Sequence, residues 1–266
     1  MLGAVIGDII GSRFEADNHK SKEFDLFTRD SCPTDDSIMT LAIAKALLAS
    51  REDWSQISKN AVKYMQEIGR QYPNCGYGGH FFYWIFSDDP QPYGSYGNGS
   101  AMRISPVGFA ADSIEQAKAL SQAVTEVSHD HPEGLKGAEA VAVAIFLART
   151  GSNRHEIRDY IDKNYYPMDF TLDQIREDYS FDVTCQGSVP QAFQAFFESQ
   201  DFEHAIRNAI SIGGDSDTIA AICGGLAEAY YGIPTSIRNQ AMTYLDDHLV
   251  EIVETFESTY PFQPNK

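Results

Sequence analysis

The chain has 266 residues, which is long enough for one large domain with a substantial core or for two modest domains. A formal net charge of -18 at pH 7 argues against the basic surface with which proteins neutralise phosphates, so we predict no binding to nucleic acid or to a membrane surface. The N-terminal stretch lacks the basic region of a signal peptide, and no apolar run reaches the about 20 residues that span a bilayer. We therefore expect a cytoplasmic protein.

Apolar residues recur at helical spacing along most of the chain, whereas the alternation typical of strands is nearly absent. We therefore predict an all-α fold, and no composition shift divides residues 1–266 into more than one compact domain. Glycine, proline and N-cap residues set the expected helix boundaries. The predicted helices are 2–13, 35–50, 54–68, 101–111, 113–127, 133–149, 153–164, 189–198, 201–212, 215–231 and 235–256, with a short aromatic segment at 80–86 and a long connection at 165–187.

Two glycines end the amphipathic run 202–212, and an almost wholly apolar helix is predicted to begin directly after them. Asp215, Asp217 and Thr218 crowd its first turn. Carboxylates are costly to bury unless a cation or several hydrogen-bond donors neutralise them. The free N–H groups of a helix start supply part of this compensation, but two or three carboxylates together favour a hard metal ion.

A second oxygen-rich helix start lies much earlier in the chain. Thr34 is placed to cap the predicted helix 35–50, and Asp35 and Asp36 fall in its first turn. Each segment alone is equally compatible with a capped helix start whose carboxylates interact with the helix dipole. Because both segments occur in one chain with almost no Lys or Arg beside them, we favour a shared site for one or two divalent ions.

The first predicted helix carries Gly3, Gly7 and Gly11 at four-residue steps, which is a stripe that allows close packing against another helix. The small residues of the predicted helix 215–231 would allow the same close approach. Asp8 lies in this otherwise apolar first helix. It is either a structural hydrogen-bond hub or a group that supports the metal ligands, and we favour the structural role.

Three further segments contain residues that contribute little to a core. The loop 93–103 is rich in glycine, and exposed amides before a helix can cradle an anion. His129, in the interhelical segment 128–132, is suited to acid–base work or substrate hydrogen bonding, or else belongs to a polar loop without function. Glu15 heads a polar loop, 15–31, that could cover a site as a flap, although a lone loop glutamate is usually only solvated.

Taken in order, these segments resemble the motifs of the ADP-ribosylglycohydrolase family (the dinitrogenase reductase-activating glycohydrolase type). The matching stretches are G-A-V-I-G-D-I-I-G-S-R-F-E, T-D-D-S, G-N-G-S-A-M-R-I-S-P-V-G, S-H-D-H-P and G-G-D-S-D-T-I-A-A-I-C-G-G-L. They begin at residue 3 and are distributed over most of the chain, and the ordered set is far more specific than any one of them. The resemblance implies a compact, single-domain orthogonal helical bundle.

The resemblance also implies a binuclear centre of two Mg²⁺ or Mn²⁺ ions that serves hydrolysis of the ribose C1″ glycosidic bond in ADP-ribose conjugates. Oxygen ligands alone fit these ions better than Zn²⁺. The implied metal ligands are Thr34, Asp35, Asp36, Asp215, Asp217 and Thr218. The implied substrate-binding residues are Gly97, Asn98, Gly99, Ser100, Met102 and His129, with the amides of 97–100 on the diphosphate. The implied catalytic residues are Asp35 and Asp36, one of which would take a proton from water, and Glu15, which by position would gate the pocket or contact the leaving group.

The leaving group stays open at this point. The family acts on ADP-ribosyl-arginine, on ADP-ribosyl-serine and on small ADP-ribose conjugates, and neither the loop 15–31 nor the aromatic insert 77–96 selects among them. We expect ADP-ribose, or a protein or small molecule that carries it, as the partner of a monomeric protein. Two alternatives remain: a catalytically weak protein that binds or senses ADP-ribose, and a dimetal nucleotide phosphohydrolase.

Overall fold

The computed structural model describes residues 1–262; residues 263–266, which the predicted domain 1–266 includes, lie outside the described part. The described residues form helices and no strand, with one isolated bridge between Gly97 and Thr184, so the predicted all-α fold is confirmed. The α-helices are α1 (Leu2–Gly11), α2 (Asp35–Ser50), α3 (Ile57–Gly69), α4 (Gly79–Phe86), α5 (Gly99–Met102), α6 (Ser105–Ala110), α7 (Ile114–Thr125), α8 (Pro132–Arg149), α9 (Arg154–Asn164), α10 (Leu172–Ile175), α11 (Cys185–Phe197), α12 (Phe202–Ile210), α13 (Ser216–Tyr231), α14 (Thr235–Met242) and α15 (Asp247–Thr259), with 3₁₀ turns at Ser12–Phe14 and Trp54–Gln56.

Helix starts that carry a side-chain cap lie close to their predicted positions. α7, α9 and α12 each begin one residue after the predicted start, because the predicted first residue is the N-cap. Asn153, for example, accepts hydrogen bonds from the N–H groups of His155 and Glu156, and the Glu156 carboxylate in turn accepts one from the Asn153 N–H. α2 also has the predicted bounds, although no side chain caps its start.

Two predicted helices are each divided. The predicted helix 235–256 is α14 followed by α15, because Asp246 caps a new start by accepting a hydrogen bond from the Leu249 N–H at 3.0 Å. The predicted helix 101–111 is α5 followed by α6, and Pro106 occupies the first turn of α6. Proline is favoured at that position because the N–H it lacks would have no partner in the helix.

The helix predicted at 189–198 begins earlier, at Cys185, and is α11. Thr184 caps it by accepting a hydrogen bond from the Gly187 N–H at 3.1 Å. Pro190 lies inside this helix, although the prediction placed the start just before it. Residues 185–187, which were predicted to belong to the connection, are therefore part of α11.

α1 and α13 form the buried centre of the described protein, and every residue of α1 is buried. The predicted glycine stripe accounts for their close approach, since a Cβ atom on Gly3 or Gly7 would collide with backbone atoms of Gly224 or Ala220. A Cβ atom on Gly11 would lie 2.5 Å from the Cα of Asp217. Helix packing therefore holds the start of α13 against the end of α1. Within residues 1–262, none of the helices has both the length and the apolar character needed to cross a membrane.

Candidate metal centre and its cavity

The oxygen-rich starts of α2 and α13 meet in the interior. Thr218 Oγ1 donates a hydrogen bond to Asp36 Oδ2 across this junction at 3.3 Å. Asp36 Oδ1 is buried and has no hydrogen-bond partner among residues 1–262. A buried carboxylate oxygen without a donor is destabilising, and a bound cation would satisfy it.

The carboxylates at this junction form two groups that share one residue. Asp8, Asp36 and Asp217 each offer an oxygen within 4.8 Å of the others, and Glu15, Asp215 and Asp217 do the same. Asp8, Asp36, Asp215 and Asp217 are buried, whereas Glu15 is exposed. Asp217 therefore lies between two adjacent clusters of oxygen ligands.

Asp8 ties α1 to the start of α2. Its carboxylate accepts hydrogen bonds from the Thr34 N–H at 2.9 Å, the Thr34 hydroxyl at 2.6 Å, the Ser37 N–H at 3.0 Å and the Ser37 hydroxyl. Four donors satisfy most of its acceptor capacity, so Asp8 has the structural role that the sequence favoured. It also fixes the turn from which Asp36 projects, which the sequence left as the alternative role.

Thr34 occupies the N-cap position of α2, but its hydroxyl does not cap the helix as predicted. The hydroxyl donates to Asp8 instead, since that buried carboxylate lies within hydrogen-bond distance. Thr34 does not line the cavity described below, although donation to Asp8 leaves lone pairs on Oγ1 for another partner. Asp35 is partly buried and lines the cavity, yet it belongs to neither three-carboxylate group.

Burial raises the pKa of every carboxyl group at the junction, and neighbouring carboxylates raise several of these pKa values further. Burial, followed by the charge of Asp8, raises the pKa of Asp35 to about 8. Burial and neighbouring carboxylates hold the pKa values of Asp36 and Asp217 well above the usual range. The pKa of Glu15 is raised for the same two reasons. In the absence of a cation, the folded protein thus favours the protonated form of these carboxyl groups more than the unfolded chain does.

The 3₁₀ turn after α1 continues into a segment that holds Glu15 beside the α13 start. Asn18, with φ 48°, accepts a hydrogen bond from the Gly214 N–H at 3.0 Å. Lys20 donates to the carbonyl oxygens of Tyr179 at 2.5 Å and Ile212 at 2.6 Å. The first residues of the predicted flap are therefore attached to the turn that precedes Asp215.

A cavity of about 380 Å³ opens from the acidic junction. The acids form one wall and the loop before α5 forms another, while aromatic and apolar residues line much of the rest. Five of the six expected substrate-binding residues line it, and Ser100 does not. The lining residues are Glu15, Asp35, Asp36, Gly76, Gly78, Gly79, His80, Phe81, Tyr93, Ser95, Gly97, Asn98, Gly99, Met102, Arg103, His129, Phe181, Val183, Asp215, Asp217 and Thr218.

Ser100, which was expected to bind substrate, lies beside the cavity without lining it. Ser100 is fully buried, and its hydroxyl donates to the Gly134 carbonyl at 2.8 Å. Ser100 therefore attaches the loop 93–103 to α8 in the protein interior. Asn98 does line the cavity, and its side-chain amide also donates to Asp215 Oδ2 at 2.7 Å. Asn98 thus joins the loop to the acidic junction.

The backbone amides of the loop are less available than the sequence suggested. The Gly97 N–H donates to Ser95 Oγ at 3.2 Å, and the Asn98 N–H donates to the Val183 carbonyl at 2.8 Å. The Gly99 N–H has no acceptor among residues 1–262. A cradle built from all the amides of 97–100 is therefore reduced chiefly to Gly99.

Sequence reasoning gave no role to several residues of the cavity. Phe181 and Val183 come from the long connection after α9, and Phe81 comes from the aromatic helix α4. Phe181 and Val183 are more than half exposed, at 54% and 52%. Exposed apolar residues in a predicted loop are a sequence signal for a binding surface, but nothing in the sequence indicated which surface they join.

The chain is similar to known proteins over most of its length. The family model for ADP-ribosylglycohydrolase matches residues 1–261. Human ADP-ribosylhydrolase ARH3 is 25% identical over an alignment of 310 residues, gaps included, that covers 88% of this chain and 84% of that protein. ADP-ribosylarginine hydrolase Tri1 of Pseudomonas putida is 25% identical over 268 residues, which cover 88% of this chain and 70% of that protein.

The fold is also found among solved structures. A chain of an ADP-ribosylglycohydrolase-related protein complex matches with a TM-score of 0.70 at 22% sequence identity, covering 97% of this chain and 94% of that chain. At that identity the match shows the shared fold. The family match over nearly the whole chain shows more: this protein belongs to the ADP-ribosylglycohydrolase family of enzymes.

Proposed function

We propose that this protein is a metal-dependent hydrolase that cleaves the ribose C1″ glycosidic bond of ADP-ribosylated arginine or serine side chains, or of small ADP-ribose conjugates, and releases ADP-ribose. The observation that carries the proposal is the sharing of Asp217 by two carboxylate groups at the inner end of a cavity. Two adjacent oxygen-ligand clusters fit two divalent ions. The single domain is proposed to act as a monomer.

The residues present fit hard cations. The donor set consists of carboxylates and hydroxyls, and the unpaired Oδ1 of Asp36 offers a ligand atom that the protein itself does not satisfy. Mg²⁺ and Mn²⁺ prefer such ligands. We assign Asp36, Asp215 and Asp217 as the principal ligands, with Thr34, Asp35 and Thr218 completing the set. When bound, the ions would orient the ribose hydroxyls and polarise the atoms around the C1″ bond.

The chain's own residues would hold the substrate and move the proton. Asp35 lines the cavity outside the two carboxylate groups, so of the candidate bases we assign it to accept a proton from the attacking water. Glu15, beside Asp215 and Asp217, closes the outer side of the centre. Gly99 and His129 also line the cavity, and there a diphosphate would find N–H donors without a large basic surface.

Product analysis tests the reaction class. A peptide ADP-ribosylated on arginine and one ADP-ribosylated on serine are incubated with Mg²⁺, Mn²⁺ or EDTA, and released nucleotides are separated by chromatography. Metal-dependent release of intact ADP-ribose from either peptide is expected, and the preferred peptide identifies the linkage. The name of the Pseudomonas putida relative gives arginine as the first linkage to try. Release of AMP would indicate a phosphohydrolase, and binding without turnover would indicate a sensor.

A further inference from the structure

Arg103 is a fully buried arginine that lines the cavity. Its Nη2 donates to Ser128 Oγ at 2.7 Å, and its guanidinium lies 5.3 Å from the Phe81 ring centroid. Its Nε and Nη1 atoms are buried without hydrogen-bond partners among residues 1–262. Arg103 is the one Lys or Arg among the described residues that line the cavity. A buried cation in this position favours an anionic ligand.

Ser128 connects Arg103 to His129. Ser128 Oγ lies 2.9 Å from His129 Nδ1, and these two side chains are its hydrogen-bond partners within residues 1–262. A guanidinium can only donate, so Ser128 Oγ accepts from Arg103. The serine proton then has one acceptor within reach among residues 1–262, which is His129 Nδ1, because the opposite arrangement, with Nδ1–H donating to Ser128 Oγ, would leave the buried serine proton without a partner.

The direction of that proton determines the state of the imidazole. An Nδ1 that accepts a hydrogen bond carries no proton, so the neutral ring carries its proton on Nε2. Burial, together with the charge of Arg103, lowers the pKa of His129 well below its usual value and disfavours the charged ring. The Nε2 atom of His129 faces the first residue of α5, since a Cβ atom on Gly99 would lie 3.3 Å from Nε2.

We propose that Arg103 and Ser128 are positioning residues that fix His129 as a neutral imidazole whose Nε2–H donates a hydrogen bond to an anionic oxygen of the ligand beside Gly99. The ligand class is therefore one with an acceptor oxygen at this wall. If the protein has the proposed function, this oxygen belongs to the diphosphate of ADP-ribose. Only the identity of the ligand rests on the proposed function. In this state His129 accepts no proton through Nε2 and is neither a general base nor a metal ligand.

Nitrogen-15 NMR of the imidazole rings tests the tautomer in the full-length protein without substrate. The His129→Gln variant identifies the His129 signals by their loss. The proposal expects a pyrrole-type Nε2 and a pyridine-type Nδ1 that persist below the usual histidine pKa of about 6.5. A proton on Nδ1, or a doubly protonated ring near that pH, would overturn it.

Substitution of the connecting serine provides a second readout. Ser128→Ala should leave a mixture of His129 tautomers, whereas Ser128→Thr keeps a hydroxyl and should restore the Nε2–H form. By calorimetry, Ser128→Ala should weaken ADP-ribose binding about tenfold, which corresponds to one charge-assisted hydrogen bond, and Ser128→Thr should recover most of it. Unchanged tautomer and affinity in Ser128→Ala would contradict the positioning role.

The proposed role of His129 and the proposed function of the protein can fail separately. If ADP-ribose does not bind but the wild-type ring has the Nε2–H form, the proposed function is at fault. Inorganic pyrophosphate is then the probe, and it should shift the His129 Nε2–H resonance in the wild-type protein. Absence of that shift at saturating pyrophosphate would show that His129 does not donate to an anion.

Discussion

Gly11 of α1 lies against the backbone of Asp217, the carboxylate that belongs to both acidic groups; a Cβ atom on Gly11 would be 2.5 Å from the Asp217 Cα. The close packing of α1 against α13 thus continues into the proposed metal centre. No side chain fits between the two residues unless one helix moves. The position of Asp217 therefore depends on the absence of a side chain at Gly11.

Gly11→Ala should consequently damage the metal centre as well as the fold. Overpacking at a buried contact costs about 1–3 kcal/mol, and the displacement falls on a proposed ligand. We expect both a lower free energy of unfolding in urea and weaker Mn²⁺ binding by calorimetry. Gly3→Ala is the matched control, because Gly3 meets α13 at Gly224, away from the acids. If Gly3→Ala and Gly11→Ala weaken Mn²⁺ binding equally, the contact of Gly11 with Asp217 has no specific effect on the metal centre.

The raised pKa values of the acids predict how stability depends on pH when divalent metal is absent. Between the usual aspartate pKa of 3.8 and about 8, the folded state holds a proton on Asp35 that the unfolded state has lost. Stability therefore falls as pH rises through this range. Asp36 and Asp217 act in the same direction. Metal binding, which requires deprotonated ligands, should offset the loss at high pH.

Thermal unfolding in EDTA, repeated with Mg²⁺, measures this effect. The lowered pKa of His129 opposes it below about pH 6.5, because the unfolded state then binds the extra proton. The difference between wild type and Asp35→Asn isolates the carboxyl contribution. We expect Asp35→Asn to gain stability over wild type as pH rises in EDTA. A constant difference would contradict the raised pKa of Asp35.

Asn18 is the one residue other than glycine with positive φ among residues 1–262, and its side chain accepts the Gly214 N–H. Asn18→Ala should release the segment that carries Glu15, since it removes this bond and places alanine in a strained conformation. Trypsin should then cleave the native protein faster after Lys20 or Lys22, and kcat should fall with little change in metal affinity.

Asn18→Gly distinguishes the loss of the hydrogen bond from the backbone strain that alanine introduces. Glycine tolerates the positive φ but cannot accept the hydrogen bond. If the bond holds Glu15 in place, Asn18→Gly should also be cleaved faster than wild type. Wild-type cleavage rates in both variants would show that Lys20, through the carbonyls of Tyr179 and Ile212, is sufficient to hold the segment.

The sequence predicts this protein well where the determining residues are neighbours in the chain. The start of α9 follows from its capping box, and α2 begins at its predicted residue although the Thr34 hydroxyl does not cap it. The stripe of Gly3, Gly7 and Gly11 predicts tight packing without naming α13. The break before α15 is missed because Asp246 resembles an ordinary acid of an amphipathic helix.

Parts of the site depend instead on contacts between distant segments. The sequence offers no means of seeing that Asp8 would bind Thr34 and Ser37, or that Ser100 would turn away from the cavity toward Gly134. Arg103 is present in the glycine-rich motif, but only the fold places it against Ser128. These contacts decide which motif residues face the ligand.

Hydrolysis of an ADP-ribosylated peptide by wild type and by Asp217→Asn, each in Mg²⁺ and in EDTA, tests the central claim most directly. Asn is similar in size and removes the charge that both carboxylate groups share, and the exposed Asp173→Asn serves as the control. We expect release of ADP-ribose by wild type and by Asp173→Asn in Mg²⁺, and none by wild type in EDTA or by a folded Asp217→Asn protein. Full activity of Asp217→Asn, or of wild type in EDTA, would contradict it.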